Sequence, residues 1–522
     1  MALRRALSAA GGRWAQGLCS AARRDTVFAV SSGHGKCGVA VIRASGPGCR
    51  EALQSLTGRP EPPAPRVLAL RRIRDPATAE PLDRGLVAWF PGPHSFTGED
   101  CCELHVHGGP AVVSGVLRAL GRLPGLRPAE PGEFARRAFH NGKLDLTAVE
   151  GLGDLIQAET EAQRRQALRQ MEGELGRLYQ RWSETLTQAL AHLEAYIDFS
   201  EDDNVEEEVL SRGEGGRGPG RASGVCPPHH HHPSPIVPPL SPPFPPPPAV
   251  AAAVRALERE VGAHLRDGRR GELLRGGVRV VIAGPPNVGK SSLLNLLAQR
   301  PAAIVSPVAG TTRDVVELSL NVGGYPVVLS DTAGLRAAAD PVEQEGVSRA
   351  RERLQQADLV LAVLDAGAVP AEPGALGEAL GAVVPPAAPQ PRVLVLNKVD
   401  LVRGGAGALR DACARAGLPP AAPLSCKTGE GLAGLVELLR RQLERLCGDP
   451  LAGSPSLTQT RHGQHLRACR AALARYGRAA GADLALAAEE LRLARRHLGR
   501  ITGHVGAEDV LDIIFRDFCV GK

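Results

Sequence analysis

Lysine is almost missing from this chain of 522 residues: Lys36, Lys143, Lys290, Lys398, Lys427 and Lys522 are six of 62 basic residues, and the other 56 are arginines. Arginine stands wherever a positive charge suffices, so a retained lysine hints at a site that needs a compact ammonium. Long apolar runs are missing too, which excludes a membrane-spanning helix, and no integral membrane segment is expected. The eleven cysteines form no C-x-x-C pair and no His/Cys zinc spacing. That argues against a disulfide-stapled secreted scaffold or a zinc module and points to reduced thiols. The chain is also read as lacking a G-x-G-x-x-G dinucleotide fingerprint, so no flavin site of that type is expected in it.

A length prior of roughly 100–200 residues per domain suggests about three domains. Residues 1–24 carry five arginines and no acid, with Leu3, Leu7, Trp14 and Leu18 on one helical face. This is the pattern of a mitochondrial transit peptide, a disordered basic tail being the plainer alternative. Removing those arginines leaves little of the formal charge of +6, so any nucleic-acid contact requires a local patch. Residues 25–146 read as mixed α and β, with strands at Thr26–Val30, 38–42, 85–90 and 101–107. From Leu168 through Met171, Leu175, Leu178, Trp182, Leu186, Leu190 and Leu193 to Ile197, apolar residues recur at steps of three and four, predicting one long amphipathic helix. Residues 213–248, rich in Gly, Pro and His, cannot bury a core and predict a disordered insert, with a translated intron end as the favoured origin.

Helical patterning resumes at 250–274. Residues 278–447 then alternate strands with helices, as in a mostly parallel sheet. The tail is helical again, with Leu466, Cys469, Leu473 and Tyr476 on one face, then Leu491, Ala494, Leu498, Ile501 and Val505. The expected fold is multidomain, α/β and α: an α+β domain at 25–146, then a helical domain at 147–275 and 448–522 interrupted by an inserted α/β domain at 276–447. Residues 455–500 hold nine arginines against Asp483, Glu489 and Glu490, a candidate RNA-binding face or equally a solvated arginine-rich one.

Chemistry enters with Gly284-Pro-Pro-Asn287-Val288-Gly289-Lys290-Ser291-Ser292, which fits G-x-x-x-x-G-K-[ST] between a strand and a helix. Backbone N–H groups of such a loop cradle phosphates, Lys290 reaches the β and γ oxygens, and Ser291 ligates Mg²⁺. Asp331-Thr332-Ala333-Gly334 ends another strand, where an aspartate holds magnesium through water and a glycine N–H senses the γ-phosphate. Asn397-Lys398-Val399-Asp400 ends a third; its aspartate accepts from guanine N1–H and N2–H₂, donors that adenine lacks, so GTP is preferred over ATP. Ser425-Cys426-Lys427 supports the base from its other side. In the stretch Ile304–Asp314, Thr312 completes the magnesium shell and Thr311 shapes the loop. Leu335 follows Gly334, so the water-orienting glutamine of Ras-type enzymes is absent, and another group must organise the transition state.

These motifs, with SFTGED (95–100), HGGP (107–110), PGEFARRAF (131–139), NGKLDL (141–146) and the terminal Cys519-Val520-Gly521-Lys522, resemble the MnmE/TrmE-type tRNA-modification GTPases, in their mitochondrial form, over nearly the whole chain. The resemblance implies a K⁺ held by Asn287 and the backbone carbonyls of Ser306, Val308 and Thr311, where an arginine finger would otherwise reach, with two G domains meeting in a homodimer. It implies Glu343 as the water-orienting residue; read alone, Glu343 is as readily a solvated helix-start residue. It implies a folate-binding first domain in which Arg43, Glu103, Lys143 and Lys522 surround the pterin and tail of a 5-formyl or 5,10-methylene tetrahydrofolate, with Cys519 nearby; read alone, the four are surface ion-pair residues and Cys519 is core. It implies a separate FAD-dependent subunit, a mitochondrial tRNA modified at C5 of wobble uridine, and a matrix location. A ribosome-associated regulatory GTPase remains the alternative, although no GXXG loop occurs in a KH-like setting. A non-catalytic scaffold would need damage at Lys290, Thr312 or Asp331, and all three are intact.

Overall fold

The computed structural model describes residues 25–33, 35–211, 248–299, 317–331, 352–369, 373–385, 389–402, 406–452 and 459–505, with 511, 514, 515, 518, 520 and 521 near the end. The chain divides into two compact units, Met1–Gly153 with Gly506–Lys522, and Asp154–Val505. The end of the chain thus clusters with its beginning, where the sequence reading placed it with the second helical part.

The first unit is built on strands β1 (Thr26–Val30), β2 (Cys37–Ser45), β3 (Ala69–Arg74), β4 (Pro81–Phe90), β5 (Cys101–Gly108) and β6 (Leu126–Pro128), in the order β3-β4-β5-β2-β1-β6. All pairs are antiparallel except β1 with β6. Alternation in β5 decides its faces: Cys102, Leu104 and Val106 are buried in a core with Val116 and Leu120 of the helix Pro110–Gly121 and Leu53 of the helix Cys49–Thr57. Glu103 and His105 therefore project from the opposite face, because successive side chains of a strand alternate. The G-x-G-x-x-G spacing does occur, a correction to the sequence reading: at 33–38, at 213–218 outside the described residues, and at 429–434. The first joins antiparallel β1 to β2, and the last follows the final edge strand of the second sheet (Ala421–Pro423) with no parallel strand after its helix, so neither opens the βαβ unit of a Rossmann site.

The second unit joins a helical core to a six-stranded sheet. Leu175, Tyr179, Leu186 and Leu193 of the helix Glu174–Ser211 pack with Val254 and Val261 of the helix Pro248–Gly276. Leu466 and Leu473 of the helix Thr460–Ala479 and Leu491, Leu498 and Ile501 of the helix Leu484–Thr502 complete that core. The single helix predicted from Leu168 is in fact two: Glu161–Met171 ends at Glu172-Gly173, with Gly173 at φ 81°, before Glu174–Ser211 begins. Glycine adopts that left-handed conformation without a Cβ clash, and the apolar spacing runs across the break undisturbed. Val505, predicted on the apolar face, lies beyond the helix Leu484–Thr502 and is exposed.

The sheet contains β7 (Val278–Ala283), β8 (Glu317–Val322), β9 (Tyr325–Asp331), β10 (Leu359–Asp365), β11 (Arg392–Asn397) and β12 (Ala421–Pro423), in the order β12-β11-β10-β7-β9-β8. Only β8 is antiparallel to its neighbour. Val280 and Ile282 face a core shared with Leu293, Leu297, Leu435 and Leu439, while Val281 faces one with Leu364, Leu380 and Leu396. Burial on both faces explains why these strands read as continuous apolar runs. The proposed insert at 213–248 lies outside the described residues, apart from Pro248 at a helix start.

Candidate functional site

The chain leaves β7, crosses to β9 on one side and to β10 on the other, so the sheet order reverses at β7. Ligands of open α/β sheets bind beyond the C-terminal strand ends at such a reversal. The P-loop follows β7, Asp331 closes β9, Asp365 closes β10 and Asn397 closes β11. Asn287 (φ 60°) and Gly289 (φ 98°) take left-handed backbone, which turns the chain so that the helix Lys290–Ala298 starts at the loop. A Cβ on Gly284 would overlap the Val363 carbonyl, and one on Gly289 would overlap the Asn397 amide, so neither position admits a larger residue. Ser291 and Ser292 are exposed at the helix start. The Lys290 ammonium donates to the carbonyls of Gly284 (2.9 Å) and Pro285 (2.8 Å), which holds it across the mouth of the loop.

Asn397 is the clamp of this site. It is 2% exposed, its Nδ2 donates to the Val288 carbonyl at 2.7 Å, and its Oδ1 accepts from the Cys426 N–H at 3.0 Å. One side chain thereby ties the phosphate loop to the base-supporting loop. Buried Ser425 donates through Oγ to Asp400 Oδ1 at 2.7 Å, orienting a carboxylate that is otherwise exposed at the strand end. Val399 is buried beneath it, Lys427 is exposed, and burial pushes the Cys426 thiol up to about 11, so that sulfur stays protonated. The loop amides, the open helix N-terminus and the oriented carboxylate fit a guanine nucleotide: phosphates at the helix start, donors of the base at Asp400. Ser306, Val308, Thr311, Thr312, Thr332, Ala333, Gly334 and Glu343 lie outside the described residues, and Asp331 is described only as the last residue of β9.

In the first unit, Ala29, Arg43, Glu103 and Ala88 form one cross-strand row through β1, β2, β5 and β4. Arg43 donates to Glu103 at 2.9 Å, its guanidinium lies 5.4 Å from the Phe96 ring centre and 5.9 Å from that of Phe134, and His105 Nε2 is 3.1 Å from Glu103. Burial works to raise the Glu103 carboxyl, but the charge and hydrogen bonds of Arg43 and His105 outweigh it and hold the pKa below the usual range. Lys143 donates to the Pro93 carbonyl at 2.9 Å and Asn141 to that of Thr97 at 2.7 Å, so NGK grips the loop that carries Phe96. The C-terminal tetrapeptide arrives at the same unit: Val520 bridges to Pro131, and Ser31 Oγ donates to the Gly521 carbonyl at 2.8 Å. Cys519 and Lys522 lie outside the described residues.

Residues 26–143 match the family described as GTP-binding protein TrmE N-terminus, and residues 146–519 match the MnmE helical domain. The chain belongs to the MnmE/TrmE family of tRNA-modification GTPases. This MnmE/TrmE chain is 56% identical over 503 residues to the human mitochondrial 5-taurinomethyluridine-[tRNA] synthase subunit GTPB3, the match covering 95% of the chain and 93% of the relative. It is 54% identical to the zebrafish (Danio rerio) protein of the same name over equal shares. It is 50% identical to the tRNA modification GTPase MnmE of Parvibaculum lavamentivorans, covering 95% of the chain and all of the relative.

Two features of this MnmE/TrmE site were missed in the sequence. Asp365 Oδ2 accepts from the Lys398 ammonium at 2.7 Å, while its Oδ1 caps the Gly367 N–H at 2.9 Å. Its only signal was an aspartate ending an apolar strand. Glu99 of SFTGED and Glu133 of PGEF meet on Arg137 at 3.0 and 3.1 Å, and Arg137, only 8% exposed, also pairs with Asp25 at 3.2 Å. Those residues hold the first unit's loops together, a role that motif position could not distinguish from ligand binding.

Proposed function

We propose that this chain is the GTP-hydrolysing subunit of a mitochondrial tRNA-modification enzyme, placing a taurinomethyl-type group on C5 of the wobble uridine together with a separate FAD-dependent subunit. The observation that carries the GTP assignment is the Asn397 clamp with Asp400 oriented by Ser425, because it sets a guanine-reading carboxylate against a phosphate loop. The names of the human and bacterial relatives support tRNA modification, and those of the vertebrate relatives support the mitochondrion; the basic segment 1–24 supports the matrix. The helical family match from 146 to 519 brackets the sheet, which supports an inserted G domain at 276–447 within helical parts at 147–275 and 448–522.

In this reading Lys290 binds the β and γ oxygens, Ser291 and Thr312 hold Mg²⁺, and Asn287 with the carbonyls of Ser306, Val308 and Thr311 holds K⁺. The bound cations supply positive charge beside the transferring phosphoryl group, the contribution an arginine finger makes elsewhere. Glu343 orients water, and the homodimer brings two such sites face to face. In the first domain Arg43 and Glu103 would lie around the pterin of the folate. Lys143 and Lys522 bind the tail, and Cys519 lies beside the folate that supplies the one carbon. The Arg43–Glu103–Phe96 cluster supports this, because it brings together a donor and an acceptor from neighbouring strands, each less than a fifth exposed, with a ring from the β4–β5 loop.

The test is GTP turnover by residues 25–522 in matched potassium and sodium buffers, with and without Asn287→Ala. Potassium should stimulate the parent strongly and the variant hardly at all. Equal rates in both salts would sink the cation mechanism and move the activator to another protein.

A further inference from the structure

The helices Thr460–Ala479 and Leu484–Thr502 run antiparallel, with Asp483 capping the second by accepting from the Leu486 N–H at 2.9 Å. Each buries its apolar side in the helical core, so its polar residues are gathered on the outer side. Arg475 pairs with Glu490 at 2.7 Å, and Arg492 pairs with Glu194 at 2.6 Å and Glu489 at 3.2 Å. Arg461 donates to the carbonyls of Arg500 and Ile501 and ties the two helices together. The remaining arginines, Arg467, Arg470, Arg478, Arg495, Arg496 and Arg500, are exposed and meet no carboxylate within ion-pair distance among the described residues.

The seam between the helices reports the field they make. His465 and His497 approach to 3.4 Å between their Nδ1 atoms. Burial first, then Arg461, His497 and Arg500, push the His465 pKa down to about 4. His497 is lowered by burial and then by Arg500, Arg496 and Arg475. Arg461 and Arg475 of the first helix and Arg496 and Arg500 of the second therefore converge on one seam, with Glu490 as the acid already spent on Arg475. On the first helix Arg467 and Arg478 are three turns apart on one side, about 16 Å at 1.5 Å per residue. Arg496 and Arg500 are about one turn apart on the second. Charge spread over such a length along an open ridge matches a polymer of phosphates better than a single small anion. The guanidinium fork pairs bidentately with phosphate oxygens, which favours a nucleic-acid backbone.

We propose that this arginine face, centred on Arg496 and Arg500 and extended by Arg467 and Arg478, holds the phosphate backbone of the tRNA. The proposal rests on the tRNA-modification reading above and adds where on the chain the RNA lies. Contact with backbone phosphates is insensitive to base sequence, so the face would position tRNA and leave the choice of nucleotide to other parts of the complex.

The experiment is fluorescence anisotropy of an unmodified tRNA transcript with the full chain across a KCl series. It compares the parent, R496Q/R500Q, R467Q/R478Q, and a control R410Q/R415Q at two exposed arginines of the helix Ala406–Arg415, which packs on the sheet. Each lost phosphate contact lowers the slope of log affinity against log salt by about 1, so each face variant should bind roughly 10- to 100-fold more weakly at about 0.1 M salt, with the control unchanged. R496K/R500K, which keeps the charges but loses the bidentate fork, should bind between the parent and R496Q/R500Q, and thermal melting of every variant excludes unfolding as the cause. Face variants that bind like the parent would overturn the proposal, as would variants that keep tRNA but lose an acidic protein partner. Mass spectrometry of wobble uridine in the reconstituted system separates the two failures. If the parent modifies tRNA while the face variants bind it normally, only the proposed face is wrong; a parent that neither binds nor modifies tRNA removes the functional reading itself.

Discussion

Lys398 sits at φ 65° with its ammonium on Asp365, so the lysine of the guanine motif is held by a residue from the neighbouring strand. Burial tends to raise the Asp365 carboxyl, but the Lys398 bond and the Gly367 N–H hold its pKa below the usual value, so it is ionised at neutral pH. Asp365→Ala frees the lysine. Because the pair is partly exposed, its loss should cost at most about 1 kcal/mol, a weakening of GDP affinity of up to roughly fivefold. Titration with a fluorescent GDP analogue measures this, and an unchanged affinity would show that Lys398 needs no such support. Gly521 is a second residue whose identity follows from one contact: φ is 98° and a Cβ would overlap the Val30 carbonyl. Gly521→Ala should release the chain end from β1, seen as faster amide exchange at Val30–Ser32, while nucleotide binding persists.

Among elements, the junction of the helices Glu174–Ser211, Pro248–Gly276 and Thr460–Ala479 carries an acid-sensitive contact. His264 is 7% exposed, its Nε2 lies 3.1 Å from the Tyr179 hydroxyl, and its ring meets Tyr179 and Trp182 edge-on. Burial, with His462 nearby, lowers its pKa to about 4 from 6.5. The unfolded chain therefore binds a proton below pH 6.5 that the folded chain refuses until about pH 4. Stability falls as pH drops through that window, by up to about 3 kcal/mol from this group, and is regained above it. Urea unfolding from pH 7 to pH 4 should show the loss, and His264→Gln should flatten it; an unchanged pH slope in the variant would assign the acid sensitivity elsewhere. The two-helix break at Gly173 belongs to this scale too, since the capping box of Thr160 with Gln163 starts the shorter helix. The box is written in the sequence as Thr160-x-x-Gln163, a local start signal, whereas the break at Glu172-Gly173 is hidden by apolar spacing that continues across it.

Over the whole molecule, the first unit is closed by the last residues of the chain. Phe515 is fully buried among Ala135, Leu146, Val149 and Leu511. Phe515→Ala should destabilise that unit by about 3–5 kcal/mol. Calorimetry should show its transition lowered while GDP binding in the second unit is kept; loss of both together would mean the two units unfold as one. The sequence by itself determined most strand positions, though not β3, β6 or β8, together with the mostly parallel sheet, the nucleotide motifs and their order, because period, glycine spacing and strand-end placement are local properties of the chain. Arg43 and Glu103 were singled out as candidate site residues only through family motifs. Tertiary structure alone decided that these two pair across β2 and β5, that Asn397 clamps two loops, that Asp365 holds Lys398, and that the chain end belongs with β1. Each of those depends on contacts between residues far apart in sequence, and neither hydrophobic period nor local propensity encodes which distant backbone will lie alongside.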